Sequence, residues 1–64
     1  MKLIIEWNDP KKWGGEAETS YHNINPKTMS IQYSLIAFGT KNYEKHWTFH
    51  ISDVKSLRFE EEEE

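Results

Sequence analysis

Apolar and polar residues alternate one for one through most of this chain, and the alternation is cleanest from Tyr43 to Ile51. Tyr43, Lys45, Trp47, Phe49 and Ile51 fall on one side, and Glu44, His46, Thr48 and His50 on the other. A period of two marks a strand with one covered face. Residues 2–7 (KLIIEW) set Leu3, Ile5 and Trp7 against Lys2, Ile4 and Glu6. Asn8-Asp9-Pro10 stops them, because proline lacks an N–H and Asn and Asp favour turns. Residues 17–24 form a weaker, more polar strand with Ala17, Thr19 and Tyr21 on one side. Residues 29–38 are the longest run, with Met29, Ile31, Tyr33, Leu35 and Ala37 as the expected inner face. The opposite face turns apolar at Ile36 and Phe38, which predicts cover on both sides or a bend. Leu57 and Phe59, alternating with Ser56 and Arg58, predict a short fifth strand.

The connections carry their own signals. Asn25-Pro26-Lys27-Thr28 has the residue order of a type I turn and is expected to join 17–24 to 29–38 as a hairpin. Gly39-Thr40-Lys41-Asn42 is the next turn. Ser52-Asp53-Val54 is a tight connection, with Asp53 as a cap and Val54 plugging the core. A helix from Asp53 onward is the rival reading. Ile51, Val54 and Leu57 fit a three-residue step, but no apolar residue continues it, and glutamates at a helix C-terminus oppose its dipole. The pattern therefore predicts an all-β fold: a small five-stranded antiparallel barrel or strongly bent sheet, followed by a disordered acidic C-terminal tail. The strand, one-turn connection and final strand at 47–59 resemble, in layout, the end of an SH3-like or Sm-like barrel.

Length sharpens what the core has to do. Sixty-four residues make one domain, expected at 1–59 with the tail at 60–64. A domain this small buries only about 60% of its unfolded surface. The chain has no cysteine, which removes disulfides and cysteine-based zinc sites and fits a reducing, cytoplasmic setting. Three Trp, three Tyr and three Phe are the remaining source of burial. Trp13, in the loop 10–16 beside Gly14-Gly15, either tucks back as a lid or stacks on a ligand, and the scarcity of core favours the tuck. No segment approaches the ~20 apolar residues of a membrane span. MKLIIEW lacks the apolar length and cleavage site of a signal peptide.

The net charge of −3 hides an uneven distribution: the five terminal glutamates are acidic, and residues 1–59 carry eight Lys and Arg against six Asp and Glu. A terminal run of like charge is expected to stay solvated, or to fold back on a basic patch.

Catalysis finds little support. His46 and His50 are four apart, but on a strand that spacing spans roughly 13 Å, too far for one metal ion. They read as outward side chains of a polar binding face, with Thr48 between them. No serine lies in a nucleophile elbow, and Gly14-Gly15 lacks the rest of a phosphate loop. The chain is expected not to be an enzyme and to need no cofactor. The candidate binding residues are Lys11, Lys12, Trp13, Tyr21, His22, Lys41, Tyr43, His46 and His50. The leading expectation is a binding module acting through protein–protein contact or self-association, of the inhibitor or adaptor type that small phage accessory proteins represent. The alternative is single-stranded nucleic acid or a nucleotide, held by loop aromatics and lysines.

Overall fold

The computed structural model describes residues 1–62. Six strands form two three-stranded antiparallel sheets, and three 3₁₀ turns lie between strands. Among the described residues there is no α-helix, and no helix is long and apolar enough to cross a membrane. The strands are β1 (Lys2–Trp7), β2 (Glu18–Tyr21), β3 (Ser30–Gln32), β4 (Leu35–Gly39), β5 (His46–His50) and β6 (Val54–Glu60). One sheet has the order β2-β1-β6 and the other β3-β4-β5.

β1 is the centre of the first sheet, and buried apolar side chains lie on both of its faces. Leu3 and Ile5 point inward opposite Tyr21, Thr19, Phe59 and Leu57, while Ile4 points outward between Ser20 and Arg58. All three are buried. Trp7 follows a bulge after Glu6 and faces Val54. In the second sheet, Ile36 and Phe38 of β4 pair with Phe49 and Trp47 of β5. The inner faces meet through rings: Tyr21 lies 5.2 Å from Phe38 and 5.1 Å from Trp47, and Trp7 lies 5.1 Å from Phe49. Aromatic residues therefore supply the burial that the short chain needs.

The expected five-stranded barrel gives way to these two sheets, which do not close. Two departures account for it. The segment 29–38 is not one strand, because Tyr33 and Ser34 both adopt positive φ, 51° and 66°. That is the geometry of a two-residue hairpin turn, and it folds β3 back on β4 with Ile31 opposite Ile36 and Gln32 opposite Leu35. The turn also reverses the expected faces of the half that follows it: Ile36 and Phe38 are the buried pair, while Leu35 is exposed together with Tyr33 in the turn. Ile31 shares the face of Ile36 but is exposed on the edge strand β3. The second departure is at Asn25-Pro26. A capped 3₁₀ turn forms there, with Asn25 Oδ1 accepting from the Lys27 N–H at 3.0 Å. It passes the chain between sheets, so β2 pairs with β1 and not with β3.

The last third follows its alternation closely. Trp47 and Phe49 face the core, and Val54, Leu57 and Phe59 pack against it. Ile51 departs from that set. It opens the 3₁₀ turn Ile51–Asp53 and is 42% exposed. The tail also begins later than expected. Glu60 is the last residue of β6 and pairs with Lys2, its carboxylate 3.7 Å from Nζ. The expectation of a disordered tail falls at its end on residues 63–64, outside the described residues.

Candidate functional site

Two surfaces bring chemistry-bearing residues together. The first is an open cleft of about 350 Å³ between the end of β2 and the loop 40–45. Tyr21 and Trp47 form its aromatic wall, and Ser20, His22, Asn23, Thr40, Asn42, Glu44 and Lys45 supply its polar groups. Thr40 holds the loop. Its hydroxyl donates to Asn42 Oδ1 at 2.9 Å and accepts from the N–H groups of Glu44 and Lys45 at 3.1 and 3.2 Å. The Lys41 N–H reaches back to the Asn23 carbonyl at 2.9 Å, which fixes the loop against the β2 end. Burial raises the Tyr21 phenol above its ordinary value, so it enters the cleft wall neutral.

A carboxylate is already seated beside this cleft. Glu62 Oε1 lies 2.6 Å from His22 Nδ1, and Oε2 accepts from the Asn23 N–H at 3.0 Å. Asn23 sits at φ 59°, which aims its N–H outward toward the acid. The Asn23 N–H, then the His22 ring, hold the Glu62 carboxyl below the usual carboxylate range.

The second surface is the end of the β3–β4 hairpin. Tyr33 is 96% exposed, and Leu35 pairs across the ladder with His50. The Ile51 N–H donates to the Ser34 carbonyl at 2.8 Å, fastening the 3₁₀ turn to the hairpin end. Tyr33, Leu35, His50 and Ile51 are thereby brought to one place on a fixed backbone.

The sequence-derived candidates are dispersed over the fold. Tyr21 and His22 line the cleft; Lys41 and Tyr43 lie in its loop, with Tyr43 72% exposed at φ 59°. Trp13 does not face solvent as a stacking platform. Its indole lies on Trp7, the tucked arrangement. Lys11 is exposed on the 3₁₀ turn Pro10–Trp13, and Lys12 there pairs with Asp53 at 3.3 Å. His46 and His50 point outward from β5, as the alternation requires. His46 packs over Gly39, where a Cβ would stand 2.5 Å from its ring. Among the described residues, no three His, Asp or Glu side chains converge as a metal site.

Three participants carry no advance signal. Trp47 reads as core from its alternation, and Glu62 reads as one of a uniform run. Tyr33 reads as inward until the turn at 33–34 is known. No protein-family model, curated protein or solved structure matches the chain.

Proposed function

We propose that this chain is a non-catalytic binding module of the inhibitor or adaptor type, acting through protein–protein contact with the β3–β4 hairpin as its anchor. Tyr33 carries the reading. A bulky side chain at positive φ is strained, and strain held in place by surrounding structure marks functional positions. The fold gains no burial from this ring, which is 96% exposed. Leu35 and Ile51 extend the apolar surface, and His50 and Gln32 border it. Tyrosine at the centre of an apolar patch is a common interface anchor.

The occupant is a folded protein that offers an apolar pocket. Tyr33 presents roughly 200 Å², against the ~800 Å² per side of a standard interface. The hairpin end is thus an anchor inserted into a partner, with the polar outer face of β5 (His46, Thr48 and His50) completing the contact. The nucleic-acid alternative keeps less support: Trp13 is stacked inside, Lys12 is paired with Asp53, and Glu44 and Glu62 place carboxylates at the cleft. The cytoplasmic setting and the SH3-like layout belong to this same reading. They rest on the absence of cysteine and on the order β5, 3₁₀ turn, β6.

A photo-crosslinker at position 33 tests the proposal in the cell of origin. The expected adduct is one discrete partner, which reconstitutes with the purified chain into a 1:1 complex by light scattering. Tyr33→Ala then weakens that complex by about thirtyfold or more, the scale of a hot-spot residue. Unchanged affinity on Tyr33→Ala, or no discrete adduct, overturns it.

A further inference from the structure

Glu62 reports on a binding site through the way it is held. Both of its carboxylate oxygens are engaged, one by the His22 ring and one by the Asn23 N–H. The Met1 amino group stands 3.9 Å from the second oxygen. This is a seat with two directed donors just past the β2 end, the His22 side chain and the Asn23 backbone N–H. His22 and Asn23 are also lining residues of the cleft whose wall is Tyr21 and Trp47. A carboxylate seat and an aromatic cleft therefore share two residues, and only the seat is filled by the chain itself.

We propose that the seat and cleft together bind an acidic peptide segment from a partner, and that Glu62 occupies the seat in cis as a competitor. The incoming carboxylate takes the place of Glu62 on His22 and Asn23. The neighbouring residue of that segment lies in the cleft against the wall that Tyr21 and Trp47 form, whose ring centroids are 5.1 Å apart. Glu44 in the cleft lining disfavours a second carboxylate there, so that neighbour is neutral and apolar. Lys45 lines the same cleft and has no ion-pair partner among the described residues, which leaves it available to the peptide backbone carbonyls. The site is separate from the hairpin anchor, and its failure would leave the anchor proposal standing.

The competitor sets the expected size of the effect. A seat that is free only a tenth of the time lowers apparent affinity about tenfold. Glu62→Gln in the full chain keeps the length and removes the charge. The probe is the capped peptide acetyl-Phe-Glu-Glu-amide, titrated into ¹⁵N-labelled protein. In the Glu62→Gln variant the peptide shifts the Asn23 amide, the Lys45 amide and the Trp47 indole N–H together, with an affinity about tenfold tighter than for the unmodified chain. His22→Ala in the Glu62→Gln background weakens this binding. Equal affinity with and without Glu62 overturns the competition. Sodium acetate shifting Asn23 as tightly as the peptide does, with Trp47 unmoved, reduces the site to a generic anion contact and overturns the peptide proposal. No shift of Asn23 or Trp47 at millimolar peptide does the same.

Discussion

The indole of Trp7 lies flat on that of Trp13, with ring centroids 4.0 Å apart and planes 16° apart. Phe49 meets both rings edge-on. Trp7 also donates through Nε1 to Thr19 Oγ1 at 2.8 Å, whereas Trp13 Nε1 is buried without a partner. The stack is what joins the 3₁₀ turn Pro10–Trp13 to the core. Trp13→Ala is expected to cost about 2–4 kcal/mol, a large part of the ~3–10 kcal/mol that a chain of this length has. Trp13→Phe costs much less, because it keeps a ring on Trp7 and removes an unpaired buried N–H. Urea denaturation orders the three proteins, and the exciton signal of the indole pair in circular dichroism disappears in both variants.

Tyr33 and Ser34 occupy a turn that Asn-Gly would fill without strain. Tyr33→Asn is expected to raise stability by about 1 kcal/mol, read as a higher urea midpoint with unchanged slope. The same change removes the anchor ring, so partner binding falls while stability rises. A purely structural role for Tyr33 would move both quantities down together.

That turn also explains how far the sequence could be read. A strand shows itself by parity, and residues 46–50 keep one parity along their length, as do residues 2–7 apart from Ile4. Residues 29–38 change parity in the middle, where Ser30, Gln32 and Ser34 give way to Ile36 and Phe38. The switch is visible, but a bend and a hairpin produce the same pattern, and Tyr-Ser carries no turn chemistry to separate them. Reading one strand there inverts every side chain on one half, which hid Tyr33 and Leu35 as surface. The cleft escaped for a different reason. Trp47 needs Tyr21 and the loop 40–45 beside it to become a wall, and alternation along one strand says nothing about a neighbour 26 residues away.

Gly39 and His46 face each other across β4 and β5. A Cβ on Gly39 would meet His46 Cδ2 at 2.5 Å and the Lys45 carbonyl at 3.2 Å. The imidazole can swing away; the carbonyl cannot easily do so. Gly39→Ala is therefore expected to cost about 1 kcal/mol, and His46→Ala to remove part of that cost. A double-mutant cycle by urea denaturation should return a coupling of roughly 0.5–1 kcal/mol. Strict additivity would show that the ring does not rest on the glycine.

Glu62 gives the chain an acid-labile contact whose sign is fixed by its partners. The Asn23 N–H and the His22 ring lower its pKa in the folded state from the ordinary glutamate value of 4.5. Its contribution to stability is therefore present above that unfolded value, and it is lost as pH falls through the lower folded value. His22 and the Met1 amino group are the titratable groups facing the carboxylate. The contact is lost on acidification through protonation of Glu62 itself. The Asn23 amide proton is the reporter, since its bond to Oε2 exists only with the acid in place. Its chemical shift should titrate with a midpoint below 4.5 in the unmodified chain and stay flat through the same range in Glu62→Gln. A midpoint at or above 4.5 would mean that neither donor holds the carboxylate in solution, and the competition proposed for the cleft would lose its basis.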